Sequence, residues 1–195
     1  MADYKTILGF ITIAIALVSY SFYFKGMLFG NTKPQPFSWF IWSVISAVAF
    51  AAQLTANAGP GAWITGFTAA VCLAISILAS FKMDWQFKAL DWLSLFAALV
   101  AILLWRYTSN ANFAATLASA AFALGFVPTF FKAYNNPGEE TAITFALNSV
   151  KFGISIIALS SFSVATWLYP ATLFLLNGLF AVFLLVRRKH KLGYM

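Results

Sequence analysis

Lys151 stands where a lysine is costly. It lies inside an apolar run, residues 142–159, flanked by Ser149, Val150, Phe152 and Gly153. If that run is a membrane helix starting near Ala142, Lys151 is nine residues in, roughly 13 Å deep in a hydrocarbon layer about 30 Å thick. Its stem reaches only ~6 Å, too little to snorkel to the surface. A charge at that depth costs about 2.5 kcal/mol or more unless it is paired, hydrated or neutral, and intramembrane ionisable residues mark pathways and sites. The chemistry on offer is the capture of an anionic solute or the passage of a proton. The competing reading is a structural lysine held by a carbonyl or a buried carboxylate. Thr144, Asn148 and Ser155 stand seven before, three before and four after Lys151, on one face of a helix. A polar seam of this kind must face protein or a watery cavity.

Few carboxylates are available to neutralise that lysine. The chain holds Asp3, Asp84, Asp91, Glu139 and Glu140, none placed at its depth. Asp91 opens a helix and, with Lys151, is a candidate for proton coupling. Glu139 and Glu140 precede the helix of Lys151, where the helix dipole favours acids. Nothing in the sequence carries enzyme chemistry. There is one histidine, His190, in a basic tail, with no Ser-His-Asp set, no metal-ligand cluster and no glycine-rich phosphate loop. Neither a cofactor nor a metal is expected.

The elements that must position these residues are membrane helices. Of 195 residues, 62% are hydrophobic and 9% charged, with a mean hydropathy of +0.86, against about 25% charged in a soluble domain. The net charge of +7 reflects where cations lie along a membrane chain and does not call for nucleic acid. Cys72 is alone, so no disulfide forms within the chain. Apolar runs predict helices over 6–24, 37–56, 62–81, 90–106, 113–132, 142–160 and 167–186, each near the length that spans a bilayer. Breaker-rich joints separate them: Gly30-Asn31-Thr32-Lys33-Pro34, Asn57-Ala58-Gly59-Pro60-Gly61 and Asn135-Asn136-Pro137-Gly138. Met1 to Lys5 is too short and polar for a signal peptide, so the first helix is expected to serve as a retained anchor.

Seven spans put the termini on opposite sides. With the C-terminus inside, the inner segments hold Lys25, Lys33, Lys82, Lys88, Lys132, Arg187, Arg188, Lys189 and Lys191, and the outer ones only Lys5 and Arg106. The positive-inside rule then gives an outside N-terminus and a cytoplasmic C-terminus in the cell membrane. Arg187-Arg188-Lys189-His190-Lys191 reads as an anchor on anionic lipid. Trp63, Trp105, Trp167, Tyr107 and Tyr169 fall at outer helix ends, and Trp85 and Trp39 near inner ones, as an aromatic belt.

The chain also repeats. Ser19–Val44 laid over Gly125–Val150 without a gap matches Phe24 to Phe130, Ser38 to Thr144 and Ser43-Val44 to Ser149-Val150. After a two-residue length change, Trp63 meets Trp167 and Thr68 meets Thr172. The expected fold is all-α, with two parallel triple-helix repeats, 1–81 and 113–195, joined by an inversion helix within 82–112. Parallel repeats place a substrate site between them near mid-membrane. In helix 2 the counterparts of Asn148 and Lys151 are Trp42 and Ile45. Trp39 and Trp42 share a face and are candidates to wall such a cavity, or are packing residues.

Two segments carry a family resemblance: Phe29-Gly-Asn-Thr-Lys-Pro-Gln-Pro-Phe-Ser-Trp-Phe-Ile-Trp42, and Gly125-Phe-Val-Pro-Thr-Phe-Phe-Lys132 continuing through Pro137-Gly-Glu-Glu-Thr-Ala-Ile-Thr144. With three-plus-one-plus-three topology they resemble the SWEET and PQ-loop transporters, whose wider group includes the KDEL receptors. They also resemble uncharacterised bacterial membrane proteins of the same length. The family's proline near the cytoplasmic part of the first helix in a triplet corresponds to Pro128, a predicted kink, while its counterpart in the first repeat is Phe22. The resemblance implies a substrate-binding asparagine in the third helix of each triplet. Asn177 fits one, and Leu73, with Cys72 beside it, stands in place of the other. The function expected is transport of a small polar or anionic solute by alternating access, passive or proton-linked. The expected substrate-binding set is Lys151, Asn148, Asn177, Trp42 and Thr144. The partners expected are that solute and the lipid bilayer, with the oligomeric state open. Two alternatives stand: a sorting receptor of KDEL-receptor type, which should carry several buried positive charges, and a chromophore protein with Lys151 as the Schiff-base lysine.

Overall fold

The computed structural model describes residues 3–82 and 89–192, with only the backbone for some of them, Asp91, Trp105, Arg106 and His190 included. The coupling expectation for Asp91 therefore lies outside the described side chains, and Asp84, Trp85 and Lys88 lie outside the described residues altogether.

Seven α-helices follow one another: α1 (Tyr4–Phe29), α2 (Pro36–Thr55), α3 (Trp63–Ser80), α4 (Ala89–Thr108), α5 (Ala111–Asn135), α6 (Ala142–Ile157) and α7 (Val164–Leu192). Short 3-10 turns, η1 (Gly59–Ala62) and η2 (Pro137–Glu139), precede α3 and α6. Apolar side chains favour the helix because it satisfies every backbone polar group internally where no water can. Among the described residues, five segments are long and apolar enough to cross a membrane, and α6 is a shorter apolar helix. This is the make-up of a membrane-embedded all-α protein.

Local chemistry sets the helix ends. Pro36 opens α2, where a proline loses no hydrogen bond. The Asn110 side chain caps α5, accepting from the backbone N–H of Asn112 and Phe113 at 3.0 and 3.2 Å. Left-handed Asn57 and Gly59 turn the chain between α2 and η1. The apolar runs misplace several ends by three residues or more. Helices α1 and α7 run on past the apolar limits, through Lys25 and Arg187-Arg188, because a helix need not stop where hydrocarbon does. Conversely, α6 stops at Ile157, short of residue 160. There the Ser160 N–H donates to the Ala58 carbonyl at 2.8 Å and docks the chain on the α2–η1 turn. Pro128 lies inside α5, which continues to Asn135.

Helix α3 packs against α1 and α2, and α7 packs against α5 and α6. The two groups meet along α1–α6 and α2–α5, while α4 lies on α5 and α2. Exchanging α1 with α5, α2 with α6 and α3 with α7 maps these contacts onto one another, α4 excepted. The core between the groups is aromatic. Phe126 touches Trp42, Phe130, Phe145 and Phe180, with ring centroids 5.3 to 6.1 Å apart.

Candidate functional site

The polar seam of α6 is turned inward. Thr144, Lys151 and Ser155 are fully buried and Asn148 nearly so. What holds the seam is α1. The Ser19 hydroxyl lies 3.0 Å from both the Thr144 carbonyl and the Asn148 side-chain oxygen. In return the Thr144 hydroxyl donates to the Ser19 carbonyl at 3.1 Å. Asn148 then reaches α7, its amide 3.4 Å from the Asn177 side-chain oxygen, and the Asn177 amide donates to the Leu173 carbonyl at 2.8 Å. Ser19, Asn148 and Asn177 thus form a polar chain across three helices, and two of the three were legible as site residues.

This chain borders a small central cavity of about 20 Å³, roughly the room one water molecule needs. Its wall includes Trp39 and Trp42 from α2, Cys72 from α3, Phe122 and Phe126 from α5, and Asn148 and Asn177 from α6 and α7. The wall contains residues 106 apart in sequence: Tyr20 and Phe126, Trp39 and Phe145, Trp42 and Asn148. In the third helices the spacing drops to 105, pairing Thr68 with Leu173 and Cys72 with Asn177. The same two spacings relate two interhelical bonds, 106 between donors and 105 between acceptors: the Ser43 hydroxyl donates to the Ala69 carbonyl at 2.9 Å, and the Ser149 hydroxyl to the Phe174 carbonyl at 2.8 Å. This corrects the register read from the sequence. Cys72, buried in the wall, stands opposite Asn177, whereas Leu73 points outward, 42% exposed. The match of Trp63 to Trp167 had pulled that alignment one residue out.

Lys151 sits behind this wall. It is not among the lining residues. Its ammonium lies 4.1 Å from the centre of the Tyr20 ring and 5.2 Å from that of Phe152, and Tyr20 itself faces the cavity. The Lys151 nitrogen has no hydrogen-bond partner among the described residues. A cation–π contact compensates a buried ammonium only in part, by about 2 kcal/mol when desolvated. The Trp42 indole N–H likewise has no hydrogen-bond partner among the described residues, while its ring stacks on Phe126 at 5.3 Å.

Two aromatics assigned to the membrane interface are elsewhere. Tyr169 is fully buried, its hydroxyl 2.9 Å from that of Ser46, and Trp39 is buried in the cavity wall. Helix-end position places a ring along the helix axis, but the side of the helix it occupies decides between lipid and core.

Beyond Trp39 and Trp42 lies a second small void, lined by both tryptophans with Gln35, Ser38, Thr129, Lys132 and Glu140. It ends on an ion pair, Lys132–Glu140, at 2.8 Å. Sequence reasoning missed this pair and had Glu140 as a helix-dipole acid. The eight-residue separation spans a loop, and no local periodicity links the two. No group of three or more potential metal ligands occurs among the described residues.

No family model, curated protein or solved structure matches this chain.

Proposed function

We propose that this protein is a membrane transporter of a small polar or anionic solute, working by alternating access between two parallel triple-helix repeats. The observation that carries the reading is the small central cavity. It lies where the two three-helix groups meet, walled by two tryptophans and two asparagines, one ring away from a lysine that has no hydrogen-bond partner among the described residues. A cavity of one-water size is that of an occluded state, and a solute enters when the groups rock apart. Trp39 and Trp42 offer faces for stacking, while Asn148 and Asn177 offer donors and acceptors. Lys151 supplies positive charge once Tyr20 gives way.

The exchange symmetry of the helix contacts and the 106-residue spacing in the wall support the three-plus-one-plus-three architecture and the SWEET and PQ-loop resemblance. The nine-to-two distribution of cations supports a cytoplasmic C-terminus.

The test is a thermal-shift screen of the purified protein against neutral sugars, carboxylates, amino acids and vitamins, at several pH values. A carboxylate or other anion should raise the melting temperature, and Lys151→Met and Lys151→Arg should each lose that shift, since a guanidinium does not bond as an ammonium does. A hit whose shift survives both substitutions would remove Lys151 from the site.

A further inference from the structure

The Lys132–Glu140 pair ties together four parts of the chain. The Lys132 ammonium, on α5, bonds Glu140 at 2.8 Å and also the carbonyl of Lys33 in the α1–α2 joint. Arg188, on α7, donates to the backbone carbonyl of Glu140 and, at 3.0 Å, to that of Pro137. Around this knot Lys33 and Glu139 pair at 2.8 Å, the Lys33 N–H donates to the Glu139 carbonyl at 3.1 Å, and the Thr32 and Thr141 hydroxyls meet at 2.7 Å. Both three-helix groups therefore converge on one ion pair.

The pair lies on the way to the central cavity. The void it borders shares Trp39 and Trp42 with that cavity. Going outward from the cavity, the order is the two tryptophans, the small void, the ion pair, then the joints. Glu140 is buried, and the Lys132 side chain keeps 15% of its exposure. A lysine so placed can swing to water when its partner is neutralised.

We propose that Glu140 is a proton-binding latch: while ionised it holds Lys132 and closes this mouth of the central cavity, and when protonated it releases Lys132 and lets the mouth open. The proton comes from the aqueous side, binds a carboxylate oxygen and leaves the same way. The charged and titratable groups facing Glu140 are Lys132 from α5, Arg188 from α7, its neighbour Glu139, and Tyr23 from α1. Gln35, just before α2, and the α2 residues lining the void, Ser38, Trp39 and Trp42, are neutral. Burial pushes the Glu140 carboxyl above the usual carboxylate range, against the pull of Lys132 and Arg188. Release thus begins nearer neutral pH than it would for an exposed acid. The latch builds on the transport reading only in what the opening serves, and it can be tested with no solute at all.

The chain supplies its own reporter. Cys72 is the sole cysteine of the sequence, is buried, and lines the central cavity. The experiment measures how fast a small charged methanethiosulfonate labels Cys72 in the purified full-length protein. Glu140→Gln and Lys132→Met should each speed labelling at least tenfold at neutral pH. The ratio of wild-type to Glu140→Gln rates, in which the thiol's own pH dependence cancels, should rise toward one on acidification. Monodisperse variants that label no faster than wild type would overturn the latch. If both variants fail to fold, wild-type labelling decides it: its rate relative to a small-molecule thiol must climb as pH falls, and a flat ratio would equally overturn the proposal.

Discussion

Lys151 is buried without a hydrogen-bond partner among the described residues, and that alone makes a prediction about stability. Replacing an uncompensated buried charge with an apolar side chain of similar size is neutral or stabilising, by about 1–4 kcal/mol in favourable cases. Lys151→Met should therefore melt in detergent at or above the wild-type temperature. A fall of several degrees would show instead that the ammonium is bonded in the folded protein and structural. Ser19 makes the opposite case. Its hydroxyl, with one proton, bridges the Thr144 carbonyl and the Asn148 side-chain oxygen, so Ser19→Ala removes the donor those two acceptors share. A loss of about 1 kcal/mol is expected from chemical denaturation, in line with interhelical hydrogen bonds in membranes, and no loss would mean the polar chain runs through Asn148 and Asn177 alone. The sequence exposed Lys151, Asn148 and Asn177 because polar residues stand out in apolar helices. It hid Tyr20 and Ser19, which look ordinary in a helix of serines and aromatics and matter only for what faces them.

Among the elements, the joint between the end of α6 and η1 brings backbone against backbone. A Cβ on Gly61 would come within 2.6 Å of the Ser155 carbonyl and 2.9 Å of the Leu159 backbone nitrogen. Those atoms are backbone and cannot rotate away. Gly61→Ala should accordingly cost about 1–3 kcal/mol by overpacking and Gly61→Val more, read as lowered melting temperatures. An unchanged Gly61→Ala would show that α6 and η1 sit farther apart than described. Gly138, where an added Cβ meets nothing within 4 Å, is the control and should accept alanine without loss. The glycine-proline cluster of this joint was legible as a loop. That it buries itself against the end of α6 was not, since the segments lie about a hundred residues apart.

For the whole molecule, the distribution of cations sets a test independent of any ligand. Reporter fusions should place the C-terminus and the 136–141 loop on the cytoplasmic side and the 56–62 turn outside. A cytoplasmic 56–62 turn would overturn the orientation and with it the seven-span reading. The all-α membrane class, the existence of seven helices and their order follow from apolar runs and breakers, because a bilayer leaves the backbone no alternative to the helix. The inward face of α6 followed from its polar seam for the same reason, since polar atoms in hydrocarbon must find protein. Tertiary structure alone decided the rest. It fixed the register that sets Cys72, and not Leu73, opposite Asn177, because a one-residue step turns a side chain by about 100° and only packing selects the side. It drew Tyr169 from the interface into the core, and for Trp39 it chose the cavity wall over the interface, both of which the sequence had offered. It placed Lys151 behind Tyr20 instead of in the cavity, and joined Lys132 to Glu140 across a loop. Each depends on which faces of distant helices meet, and hydropathy along one chain records depth in the membrane but not partner.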